Sequence, residues 1–145
     1  MNSYGLIDLH CDTLAEYWKY AHTGNPDTLD DPGRVLSLSN MPKDVHWAKF
    51  YAVFIPDEEH GQAAIDYFEK NRVNFYRQME KFGDRVAPCR NADDMEKAWA
   101  AGKTAAFLTI ENGSALAGDL SRVHTLAEQG VRAITLTWNG ENELG

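Results

Sequence analysis

The sequence predicts an α/β fold organised on a parallel sheet, and three observations carry that expectation. Four short apolar runs, Leu6 to His10, Phe50 to Ile55, Ala105 to Ile110 and Val131 to Thr137, have the continuity of strands buried on both faces. Stretches with helical spacing lie between them, and strands alternating with helices build βαβ units. Gly102 and Gly130 stand just past two of those stretches, where helices end.

Taken in order, the first strand lies in "YGLIDLHCDTLAEY", residues 4 to 17. Side chains alternate across a strand, so regular alternation puts Asp8, His10 and Asp12 on one face and Ile7, Leu9 and Cys11 on the other. Thr13 to Ala21 reads as a helix, residues 24 to 33 as a surface loop, and Arg34 to Asp44 as a small irregular hairpin. Residues 58 to 81 form a long amphipathic helix with Ile65, Phe68, Val73, Phe75, Tyr76 and Met79 as core positions. Asn91 to Ala101 starts at an asparagine cap and stops before Gly102, and Asp119 to Gln129 stops before Gly130. The fourth strand runs into "LTWNGENELG". The result is four β/α steps without the last helix, in a single domain over residues 1–145. That describes a small open α/β sheet or the first half of a (β/α)₈ barrel, which needs about 250 residues.

Composition narrows the function classes. The net charge of −8 argues against a nucleic-acid partner and against an anionic membrane surface. No apolar run approaches the length of a membrane span, and the start lacks the basic region of a signal peptide. Cys11 and Cys89 have no framework spacing, which fits a reduced, cytoplasmic protein. Glycine-rich dinucleotide and phosphate loops, the nucleophile elbow and paired Cys-x-x-Cys are absent from the sequence.

The chemistry concentrates at strand ends. His10 and Asp12, at i and i+2, point toward one spot, as two ligands of one metal must; a neutral nitrogen with an anionic oxygen suits zinc and similar ions. Glu111 closes the third strand, and a lone carboxylate there is costly to bury unless it is paired or bound to a metal. Ligands at the C-terminal ends of different parallel strands converge in space. Asp8 reads as a group orienting a ligand, and Cys11 as a buried small hydrophobe facing the helix layer. His22, His46, His60 and His124 have no ligand-like neighbours and read as surface or boundary histidines.

With "IDLHCDT", "LTIENG" and "GVRAITLTWNGENELG" placed on the first, third and fourth strands, the sequence resembles the membrane (renal) dipeptidase family, zinc metallopeptidases of the amidohydrolase superfamily. The resemblance implies a (β/α)₈ TIM-type barrel, of which this chain is the truncated first half. It implies two zinc ions, with His10 and Asp12 on one and Glu111 bridging both, and hydrolysis of a dipeptide amide by a metal-held hydroxide. The family also uses two histidines and an acidic proton shuttle later in the barrel, so no catalytic acid or base is assigned within these residues, and the fragment alone is expected to be inactive. Trp138 stands where family members often place a substrate-contacting histidine, which makes it a substrate-binding candidate. The expected partner is a small dipeptide, without nucleic acid or membrane; a homo-oligomer is also on the table. Two alternatives stand beside this. One is a metal-dependent phosphoesterase of the polymerase-and-histidinol-phosphatase type, which has a histidine where Asp12 stands. The other is a non-catalytic half-barrel.

Overall fold

Five parallel strands form one sheet at the centre of the computed structural model, which describes residues 4–14, 28–34 and 36–145. In chain order the elements are β1 (Tyr4–Cys11), β2 (Val45–Phe54), α1 (Gly61–Lys81), β3 (Val86–Pro88), α2 (Ala92–Ala100), β4 (Thr104–Glu111), α3 (Arg122–Glu128) and β5 (Val131–Thr135). β1 pairs with β2, and β2 with β4. The other edge of β4 is shared: β3 pairs with Thr104–Ala106, and β5 with Leu108–Glu111. Without the three-residue β3, the long strands follow one another in sequence order, as expected.

β4 is buried throughout except at Glu111, which matches its unbroken apolar sequence. On one face of the sheet, Tyr51, Val53, Leu108 and Ile110 pack with Phe68, Phe75 and Met79 of α1 and Leu126 of α3. On the other, Ala48, Phe50, Ala105 and Phe107 pack with Ala98 and Trp99 of α2, and the Phe50 and Phe107 rings stack at 4.7 Å. Trp99 closes the N-terminal end of this second face, where its indole N–H donates to the Trp47 carbonyl at 2.9 Å. A Cβ on Gly5 would sit 2.8 Å from that ring, so the close approach requires glycine.

Helix ends follow their sequence signals. Asn91 Oδ1 accepts from the Asp94 N–H at 2.9 Å and caps α2. Gly102 (φ +70°) and Gly130 (φ +106°) follow α2 and α3 in the conformation that favours glycine. The N-terminus of α1 has no cap from its own His60; Glu143, from the segment after β5, accepts the Gly61 N–H at 3.0 Å.

Five expectations change. Of the runs expected to be buried on both faces, β1 is exposed at every residue but Asp8 and Cys11 and β5 is buried only at Val131, since among the described residues both lie at the sheet's edges. β2 begins at Val45 rather than Phe50, because Lys49 interrupts the apolar run yet is fully buried, its Nζ donating to the Leu36 carbonyl at 2.8 Å. The segment 36–44 makes turns and bends and no hairpin. Val73 is 59% exposed, since the inward stripe of α1 runs through Ala64, Phe68, Asn71, Phe75 and Gln78. The polar members of that stripe are bonded: Gln78 Oε1 accepts from the Leu29 N–H at 3.0 Å, and Asn71 Nδ2 donates to the Tyr67 carbonyl at 2.9 Å. The helix expected over Thr13 to Ala21 falls mostly outside the described residues, as does His22; its start is a 3₁₀ turn over Asp12–Leu14.

Candidate metal centre

Three strand-end residues converge at the C-terminal edge of the sheet. Glu111 is the last residue of β4 and pairs with Phe54 of β2 on one side and Thr135 of β5 on the other. Its alternation with Phe107 puts its side chain on the face that α2 leaves open at this end. His10 lies one residue before the end of β1, and Asp12 opens the 3₁₀ turn that follows. His10 Nε2 lies 3.1 Å from Asp12 Oδ1 and 3.5 Å from Glu111 Oε2. One nitrogen and two carboxylate oxygens, all within 4.8 Å of one another, form the metal-competent group found among the described residues.

A shift in register delivers His10 there. Asp8 pairs with Lys49, but Cys11 pairs with Tyr51, so β1 carries an extra residue between them. Asp8 therefore sits beside Lys49, on the face bearing Tyr51, and does not share the face of His10 and Asp12. This corrects the expectation from simple alternation. Asp8 Oδ1 accepts from the His10 N–H at 3.2 Å, so it still steadies the irregular segment through the backbone. Cys11 is buried in the helix-side core, with Sγ 3.0 Å from Thr13 Oγ1, as a small hydrophobe should be.

Exposure and charge favour a cation at this spot. Glu111 is only 18% exposed at its side chain, against 47% for His10 and 60% for Asp12. Burial lifts the Glu111 carboxyl above its ordinary value; His10 opposes the lift, and the Asp12 charge adds to it. Two carboxylates facing one imidazole nitrogen form an electron-rich set whose mutual repulsion a divalent ion removes. The donors, imidazole nitrogen and carboxylate oxygen, are those zinc accepts. The residues present fit a metal.

Trp138 lies beyond the end of β5, so strand alternation does not place it. Ile134 of β5 pairs with Ile110 on the helix-covered side. The Trp138 ring instead meets Phe54 edge-on at 4.8 Å, and Phe54 is the register partner of Glu111. Sequence reasoning missed Phe54, which reads as one more apolar strand residue. The remaining described histidines lie apart from the group: His46 stacks on Trp99, His60 lies 3.8 Å from Glu143, and His124 is exposed on α3.

The profile of the membrane dipeptidase family, peptidase family M19, matches residues 1–145. The chain belongs to the membrane dipeptidase family. Solved structures agree at the level of fold. The M19 metallopeptidase dipeptidase AC superposes with a TM-score of 0.80 at 18% identity, over 97% of this chain and 45% of that one. A metallopeptidase from Rhodobacter sphaeroides, liganded with a phosphinate mimic of the dipeptide L-Ala-D-Ala, gives 0.80 at 16% identity, over 97% and 47%. The probable dipeptidase PvdM from Pseudomonas aeruginosa gives 0.70 at 19% identity, over 97% and 36%. No curated protein matches the chain in sequence. The chain thus spans less than half the length of these solved structures, and its parallel α/β sheet matches part of the barrel of M19 dipeptidases. For a membrane dipeptidase family member, His10, Asp12 and Glu111 occupy the sheet end where parallel α/β barrels build their sites. No described helix is long and apolar enough to cross a membrane.

Proposed function

We propose that the protein carrying this chain is a zinc-dependent dipeptidase in which His10, Asp12 and Glu111 hold metal. The convergence of these three side chains at one end of the sheet, in a chain of the M19 family, carries the reading. When bound, the metal polarises the scissile carbonyl and acidifies water. In this reading His10 and Asp12 would hold one ion and Glu111 would be shared by two, with further ligands and a proton shuttle as the family resemblance implies. The chain's own part is to fix three donors in place and to wall the mouth with Phe54 and Trp138, so that apolar substrate side chains gain contact there. The two free, buried cysteines suit a reducing compartment, and a cytoplasmic location is part of the proposal.

Assays of the purified protein on a dipeptide panel and on a phosphomonoester, each with zinc and with chelator, test this. Chelator-sensitive dipeptide turnover is expected. Turnover of the phosphomonoester alone would move the protein to the phosphoesterase alternative.

Trp138 supplies a second test. Indole donates one N–H and accepts no proton, so Trp138 holds substrate mainly by packing. Trp138→His is expected to change kcat/KM by about tenfold or more on some dipeptides, equal to about 1.4 kcal/mol. Kinetics indifferent to this substitution across the panel would restrict Trp138 to its contact with Phe54.

A further inference from the structure

The residue after Glu111 is bonded to far more of the structure than a loop asparagine needs. Asn112 is 1% exposed and has φ +75°. Asparagine is among the few residues with a Cβ that tolerate positive φ, and glycine adopts it freely. The advantage of asparagine over glycine here is therefore its side-chain amide, and both ends of it are engaged. Nδ2 donates to the Ile55 carbonyl at 3.0 Å and to Asp57 Oδ1 at 3.3 Å, both just after β2. Oδ1 accepts from the Ser114 hydroxyl at 3.0 Å and the Ser114 N–H at 3.3 Å. It also accepts from Asn142 Nδ2 at 2.7 Å, and Asn142 reaches the Leu136 carbonyl at 2.8 Å, after β5. One buried amide thus ties together the segments that follow β2, β4 and β5.

Glu111 depends on that tie. Among the described residues its carboxylate faces only His10 within ion-pair distance, at 3.5 Å, and no hydrogen-bond donor aims it. Its direction is set by its backbone, and that backbone is held from both sides. The Glu111 carbonyl accepts from the Ile55 N–H at 2.9 Å, and the next residue is anchored through its amide.

We propose that Asn112 is a positioning residue for the metal centre, its amide fixing the direction from which the Glu111 carboxylate enters the ligand group. The proposal rests on the metal reading above. Groups that orient ligands without touching the ion commonly govern about 10–100-fold in metal affinity.

The test compares the protein that carries this chain with its Asn112→Gly variant, which keeps a residue suited to positive φ and removes only the amide. Zinc affinity is measured by calorimetry, coordination by the visible absorption of bound Co²⁺, and fold by metal-free thermal unfolding. Asn112→Gly is expected to bind zinc about 10–100-fold more weakly and to change the Co²⁺ spectrum, while remaining folded without metal. A purely structural role would lower the unfolding temperature and leave affinity and spectrum unchanged, and that result overturns the proposal. Should Asn112→Gly fail to fold, Asn142→Ala removes a single bond to the amide, and the same two readouts decide: weaker zinc binding supports the proposal, and unaltered binding overturns it. A parent protein that binds no zinc overturns the metal reading itself. A parent that binds zinc as tightly as Asn112→Gly overturns only the role of Asn112.

Discussion

Glu111→Ala is expected to abolish zinc-dependent dipeptide hydrolysis and to strip most of the bound metal. With Glu111 shared by two ions, as proposed, its removal would weaken both, whereas His10→Ala or Asp12→Ala should weaken chiefly one. Losing a Lewis-acid centre worth several kcal/mol of transition-state stabilisation corresponds to a drop in kcat of about a thousandfold or more. Metal content after gel filtration and steady-state rates read the two effects separately. The fold should survive, because Glu111 is a partly buried carboxylate lifted above its ordinary value by burial, and alanine removes that cost. Unchanged metal stoichiometry in all three variants would refute the ligand assignment.

Phe75→Ala should have the largest effect on stability. Phe75 is 1% exposed in α1, meeting Tyr51 of β2 edge-on at 6.3 Å and Tyr76 at 5.1 Å. Emptying such a site removes the ring's contacts and leaves a cavity, at a cost of about 3–5 kcal/mol. That is a large share of the roughly 5–15 kcal/mol that holds a domain together. The urea midpoint should fall accordingly. A shift worth under about 1 kcal/mol would mean that α1 does not pack on the sheet as described.

Phe75 also shows what could be read from sequence. Its place in a helical stripe was visible because apolar residues recur with the helix period, whereas Val73, off the stripe, was misplaced. The long strands were visible as unbroken apolar runs. The start of β2 was hidden because Lys49 looks like a surface residue until its stem is packed and its amine finds the Leu36 carbonyl. β3, three residues ending in Pro88, is too short for periodicity to register. At the metal centre, His10, Asp12 and Glu111 were visible because residue type and strand-end position coincide. Simple alternation misplaces Asp8 because an extra residue in one strand leaves no mark on the pattern, and no residue pattern singles out Asn112.

The uneven sharing of strand edges has a consequence in time. β4 is hydrogen-bonded to β2 on one side and to β3 and β5 on the other, while β1 has β2 alone among the described residues and is exposed along most of its length. Backbone amides exchange with solvent through local opening, and an edge strand opens more readily than a central one. Within these residues, amide exchange is expected to be slower along β4, which carries Glu111, than along β1, which carries His10. An ion held by both residues would join the two strands, and slower exchange on metal uptake is then expected mainly in β1.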